Sequence, residues 1–484
     1  MYVFSLSDIF LYLSSELYLF TYILALITYT VCFSGLNTFS YPTLLNSSMS
    51  FTCFSIVLIL FTFVSKDISA FTTNNASIFS IFFKFILLTS AVLVHLICRQ
   101  TLSQYSIFKY EYDIILLFSI LGLLLLNESN DLLLFYLAVE LQSLSFYVLA
   151  TFNRNSEYNA EAGLKYFILG ALSSGLLLLG FTLIYISFGT IFFDDFLKIN
   201  DFNDSLDSWA IFFIFIALLF KIGAFPFHQW LCDVYEGVLV TITAFFSIVP
   251  KSILFALLLR LSFAFFNSFL DQTGSLILCS GLASVAFASV AALYQKRLKR
   301  LLAYSAISHS GFILLAISCN SLESIKATLI YIIIYLIMSL ALFSVIFVVL
   351  KSNNLPKFLI NWSFFATQNL CLGLSFSCLI FSIAGIPPLA GFFSKLGIFS
   401  CLLFNGYIVT PVLIAIFSSI ACFYYIRLIR IFFFVENTRS TFWTGSSTGF
   451  VNLTISCFTM FTVFCLARPT ALVALSTFVG LSLF

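Results

Sequence analysis

The chain has 484 residues, of which 61% are hydrophobic and 9% charged, and its formal net charge is +2. About a quarter of a soluble domain is charged, so this composition excludes a water-covered globule and fits a surface that faces lipid. It also gives no footing for nucleic acid or nucleotide, because there is no long basic run, no G-x-G-x-x-G and no P-loop.

Hydropathy and helix breakers predict an all-α polytopic membrane protein with about fourteen transmembrane helices. In chain order the cores fall at 17–36, 51–65, 77–98, 113–127, 131–151, 160–187, 209–232, 240–266, 274–294, 300–318, 323–350, 370–404, 408–433 and 447–467. Most approach the roughly 20 apolar residues that a hydrocarbon layer of about 30 Å requires. The apolar tail after Pro469 is too short to count. No basic region precedes the first apolar stretch, and there is no Arg-rich presequence, so nothing marks the chain as imported. The 12 cysteines are scattered through apolar segments without a Cys-x-x-Cys pair, as small hydrophobes would be. The 64 phenylalanines are consistent with drift in an A+T-rich organelle genome.

Lysine and arginine set the orientation. With the N-terminus outside, the inward loops carry Arg99, Lys109, Arg154, Lys296, Arg297, Lys299, Arg300, Lys351, Lys357, Arg430 and Arg439. The outward segments carry only Lys66, Lys198, Lys326 and Arg468. An even number of spans then puts both termini outside.

Two spans are interrupted. The seventh holds Gly223 and Pro226 beside Lys221, and the twelfth holds Gly385, Pro387, Pro388 and Gly391 beside Lys395. Proline removes a donor and clashes with the preceding turn, so each helix breaks there. Such a break is tolerated in a membrane only inside protein or along a wet cavity. The two lie five spans apart, hence in opposite orientation, which points to two inverted five-helix units and a site near the midplane.

Four charges stand near span centres: Glu140, Lys221, Lys251 and Lys395. A mid-membrane charge costs at least about 2.5–3.5 kcal/mol, so they are either a proton relay or static ion pairs that fix packing. Lys84 and Lys165 lie nearer span ends, where a lysine can snorkel. His228 follows the first break, and His309 stands mid-span between two serines. Each is a proton-passing imidazole or a satisfied core histidine. Ser173, Ser174, Ser247 and Ser394 are candidates for holding water.

Six segments carry a resemblance: 138–150 (AVELQSLSFYVLA), 160–175 (AEAGLKYFILGALSSG), 224–237 (AFPFHQWLCDVYEG), 243–251 (TAFFSIVPK), 295–312 (QKRLKRLLAYSAISHSGF) and 384–395 (AGIPPLAGFFSK). Together they resemble the NADH dehydrogenase subunit 2 family, antiporter-like membrane subunits of respiratory complex I, over about 113–430. The resemblance implies N-terminal helices 1–3 over 1–112, inverted repeats over 113–272 and 273–435, and helix 14 with its tail over 436–484. It implies proton translocation by Glu140, Lys221, Lys251 and Lys395, supported by Lys165, His228 and His309. No cofactor is implied on this chain, since NADH, FMN, iron–sulfur clusters and ubiquinone belong to other subunits of such a complex. The implied partners are other membrane subunits, neighbouring antiporter-like subunits among them, and lipids. The implied location is the mitochondrial inner membrane, with both termini on the intermembrane-space side. A stand-alone Mrp-type cation/proton antiporter and a purely structural membrane subunit are the rival readings. The chain departs from the family where Cys232, Leu239 and Thr241 replace prolines, which predicts a more regular link between spans seven and eight.

Overall fold

The computed structural model describes residues 14–34, 78–104, 110–153, 155–196, 205–265, 270–349, 358–362, 369–435 and 449–483. The span expected at 51–65 lies outside them. The first helices are α1 (Ser14–Ser34), α2 (Ile78–Gln104), α3 (Tyr110–Glu128), α4 (Leu132–Ala150) and α5 (Glu157–Phe188). The seventh expected span is split into α6 (Ser205–Ile222) and α7 (Gln229–Gly237), followed by α8 (Val240–Arg260), α9 (Leu270–Leu293), α10 (Leu298–Ile317) and α11 (Leu322–Val349). The twelfth is likewise split into α12 (Leu370–Ala384) and α13 (Ala390–Phe404), and α14 (Val409–Phe434), α15 (Gly449–Phe464) and α16 (Thr470–Leu481) complete the chain. The tail set aside as too short is thus α16, a 12-residue helix packed on α11.

Helices dominate because lipid offers backbone N–H and C=O groups no partner, so each segment must satisfy its own. Many serines add to this by donating to the carbonyl three residues back. Ser173 bonds Gly170 at 2.6 Å, Ser174 bonds Ala171 at 3.0 Å, Ser247 bonds Ala244 at 3.0 Å and Ser394 bonds Gly391 at 2.9 Å. Their hydroxyl protons are therefore spent on the helix rather than held out for water.

The fold has a protein-enclosed pillar at its centre. The membrane-crossing stretch of α8 is 100% enclosed by the rest of the protein, whereas those of α14 and α15 are each only 28% enclosed and face outward. Helix α8 packs against α2, α3, α6, α10 and α11. That position is why a lysine on α8 has no route to a lipid headgroup.

The two halves repeat one another in detail. Asp131, just before α4, bridges Phe192, just after α5, and a one-turn helix Phe193–Phe196 follows. Arg297, just before α10, bridges Phe358 beyond α11, and the one-turn helix Leu359–Trp362 follows. Bridge, spacing and trailing turn match between the halves although the sequences there do not.

Lys84 does not snorkel. It is 6% exposed, 3.0 Å from Glu16 of α1, ion-paired as well with Glu128 of α3, and it donates to Ser15 at 3.3 Å. Arg260 closes the neighbouring helix ends by donating to the carbonyls of Asn127 and Ser129 at 3.2 and 3.0 Å. This cluster fastens α1 and α2 to the first repeat. Removing one partner of a buried ionic group destabilises by about 3–5 kcal/mol, because the remaining charges stay buried and unpaired. Lys84→Met is accordingly expected to lower the yield of assembled protein sharply, whereas Lys84→Met with Glu16→Gln and Glu128→Gln recovers it; thermal unfolding in detergent measures both.

Candidate functional site

Both interrupted helices stop in the same way. Gly223 (φ 79°) and Gly385 (φ 83°) take the left-handed conformation that a side chain disfavours. Gly223 N donates to Phe220 O and Ala224 N to Leu219 O, each at 3.0 Å. In the second half Gly385 N donates to Ser382 O at 3.0 Å and Ile386 N to Phe381 O at 3.1 Å. This is the paired closure of a Schellman cap, and it occurs at matching places in the two repeats. The chain then turns through Pro226 in one half and Pro387–Pro388 in the other before the second half-helix begins.

A cap of this kind still leaves carbonyls at the end of the first half-helix, and those carbonyls are the negative pole of its dipole. The two breaks treat this end differently. In the first, Trp230 of α7 reaches back and donates its indole N–H at 3.0 Å to Phe220 O, the carbonyl that Gly223 N also bonds. In the second, Lys395 of α13 donates its ammonium to Ala384 O at 2.6 Å and Ile383 O at 3.4 Å. Lys395 also lies over the ring of Phe312, 5.3 Å from its centroid. Lys221 has an Nζ that is buried with no hydrogen-bond partner among the described residues.

Glu140 on α4 is half-buried, and its carboxylate accepts from Ser143 at 3.2 Å. Its charge acts on Lys221 without an ion-pair contact between them. Lys221 and Lys251 line one small cavity, together with Tyr166, Trp230, Tyr235 and Pro250. Pro250 lacks the N–H that would bond the Phe246 carbonyl, which also borders this cavity. Lys251 is 4% exposed, donates to Ala306 O of α10 at 3.2 Å and lies 5.8 Å from the ring centroid of Tyr335.

His309 stands one turn beyond Ala306 on α10. Its Nδ1 is 2.8 Å from the Tyr331 hydroxyl, and its Nε2 has no partner. It is within electrostatic reach of both Lys251 and Lys395. It also lines a cavity walled by Ala306 and Ile383, the residues whose carbonyls receive those two lysines. Lys221, Lys251, His309 and Lys395 thus form a row of buried nitrogens with Glu140 at one end. The Tyr331 hydroxyl and the carbonyls of Ala306, Ile383 and Ala384 stand beside these bases.

Lys165 and His228 stand apart from that row. Lys165 has a side chain 44% exposed and pairs with Glu161 at 2.7 Å and Asp233 at 3.3 Å. His228 is buried against Phe225 and Phe287, with ring centroids 5.4 and 4.4 Å away. The link from α7 to α8 is regular at Cys232, which sits inside α7, and at Thr241, which sits inside α8. It is not regular throughout, since Val238 and Leu239 are extended between them. Tyr235, Tyr331, Tyr335 and Trp230 are site residues that hydropathy gave no reason to single out. Among the described residues, no three His, Cys, Asp or Glu side chains converge as a metal set.

Residues 129–423 match the family described as NADH:quinone oxidoreductase/Mrp antiporter, transmembrane. The chain is 38% identical over 390 residues to NADH-quinone oxidoreductase subunit N of Pelagibacter ubique, covering 79% of this chain and 82% of that one. It is 38% identical over 439 residues to NADH-ubiquinone oxidoreductase chain 2 of Marchantia polymorpha, covering 88% and 89%. Its fold is like that of a chain in respiratory complex I from Thermus thermophilus, with a TM-score of 0.79 at 24% identity over 95% of this chain and 98% of that one. Both breaks and the whole row of buried bases lie within the matched residues, and this chain belongs to the NADH:quinone oxidoreductase/Mrp antiporter family, among its subunit N and chain 2 members.

Proposed function

We propose that the chain is a proton-translocating membrane subunit of respiratory complex I, in the mitochondrial inner membrane with both termini toward the intermembrane space. Electron transfer from NADH through FMN and iron–sulfur clusters to ubiquinone takes place on other subunits, and the chain itself carries protons. The observation that carries this reading is the row Lys221, Lys251, His309 and Lys395, the last three buried and the first with its Nζ enclosed, bordered by small cavities and headed by Glu140. A desolvated lysine gives up its proton readily, and a nearby carboxylate reverses that tendency. A change at Glu140 therefore loads or unloads Lys221, and the charge on each base biases the next. Moving one charge outward works against about 2.3 kcal/mol per 100 mV of membrane potential, so the cycle has to be driven by neighbouring subunits. The repeats over 113–272 and 273–435 each supply one broken helix to the row, and α1, α2 and α15 brace them. Lys165 and His228 are supporting groups: the exposed Lys165–Asp233 pair faces a neighbouring subunit, and His228 borders the first break.

The same scaffold serves Mrp antiporters, so fold alone does not choose between the two. Isolation of the native assembly does. The chain is expected to co-purify with flavin and iron–sulfur subunits in NADH-oxidising particles; recovery in a particle lacking them would assign it to an antiporter instead.

A further inference from the structure

Three cavities meet at one side chain. The largest, about 280 Å³, opens among α5, α7, α8, α10 and α11 at the end of the bundle that carries the basic 296–300 cluster. Its walls include Asn159, Glu236 and Arg297. The second, about 40 Å³, holds His309, and the third, about 20 Å³, holds Lys221 and Lys251. Each is larger than the roughly 10–15 Å³ needed for one water. Each is also lined by a residue with a buried polar atom that has no hydrogen-bond partner among the described residues: Asn159 Nδ2, His309 Nε2 and Lys221 Nζ, respectively. Buried polar groups of this kind are ordinarily satisfied by water.

Among their lining residues, Tyr235 is the one common to all three cavities. Leu302 and Phe343 also stand between the first and second, but both are apolar. Tyr235 lies on α7, the half-helix beyond the first break, and is 4% exposed. A phenol donates one hydrogen bond and accepts others, so its hydroxyl is the polar group through which the outer cavity addresses either inner one.

We infer that the 280 Å³ cavity is the water-filled vestibule through which protons enter, and that Tyr235 is the branch point joining it to the Lys221–Lys251 cavity and the His309 cavity. The hydroxyl oxygen accepts a proton from vestibule water while its own proton leaves to water in an inner cavity. Rotation about the C–O bond then restores the starting state, with no net change at the residue. Leu302 and Phe343 keep the rest of the partition dry. The proposal rests on the relay reading given above.

Tyr235→Phe keeps the ring and removes the hydroxyl. In the assembled complex, reconstituted in sealed vesicles, it is expected to leave assembly unchanged and to lower proton-coupled turnover roughly a hundredfold. The solvent deuterium isotope effect on the remaining rate rises, and Tyr235→His, which restores a proton-passing group, recovers part of the loss. Wild-type pumping and an unchanged isotope effect in Tyr235→Phe would overturn the branch point. Asn159→Leu dries the vestibule without touching the tyrosine and is expected to slow pumping comparably; a wild-type result there would overturn the vestibule. If Lys395→Arg stops pumping while Tyr235→Phe does not, the inference fails and the relay stands. If neither variant affects pumping, the relay itself fails.

Discussion

An assembled complex carrying Lys395→Arg is expected to retain its subunits and to lose at least roughly a hundredfold in proton-coupled NADH:ubiquinone turnover, the lower end for removing a proton-transfer group. The argument is in what Lys395 touches. Its ammonium closes the carbonyl end of α12 through Ala384 and Ile383, a structural task that any buried cation with suitable reach performs. Arginine keeps that cation and its donors but does not deprotonate in proteins. Lysine, by contrast, shifts its proton affinity readily when buried. A static cap therefore tolerates arginine, and a proton station does not. Lys395→Ala serves as the companion: it removes both tasks, so it is expected to impair assembly as well as pumping. Full pumping by Lys395→Arg in a complete complex would make the residue a helix fastener.

Gly385→Ala is expected to be as damaging without removing any charge. The residue has φ 83°, where a side chain costs about 1–2 kcal/mol. A Cβ there would also stand 2.8 Å from both Cδ and Nζ of Lys395. The lysine would be displaced from its carbonyls while remaining in place on the chain. Loss of pumping with Lys395 intact is the expected outcome, read from protons moved per electron pair. Gly406→Ala is the control, since that glycine also has positive φ (80°) but nothing lies within 4 Å of its Cβ position. It pays the backbone strain alone and is expected to assemble less well but to pump normally once assembled.

Much of the site was legible before any coordinates. Glycine and proline announce a helix break through backbone chemistry alone, and both breaks fall where Gly223–Pro226 and Gly385–Pro388 indicated. Charges at Glu140, Lys221, Lys251 and Lys395 stand out because lipid makes them expensive wherever they point. What a linear pattern does not contain is which helix ends meet. Lys84 reads as a snorkelling lysine until α1 and α3 bring Glu16 and Glu128 to it. Lys165 joins the axis only through the family resemblance, and its side chain turns to Asp233 on the surface. The serines read as water holders, whereas their protons go to their own helices. Tyr235 gives no signal at all, since an aromatic residue in an apolar helix is ordinary, and its importance comes only from three cavities converging on it.

If the buried bases form one connected path, a structure of the assembled complex that orders internal water will show a continuous hydrogen-bonded chain of water and side chains from Glu140 through Lys221, Lys251 and His309 to Lys395. A dry gap more than two helices wide, with no polar group across it, would contradict it.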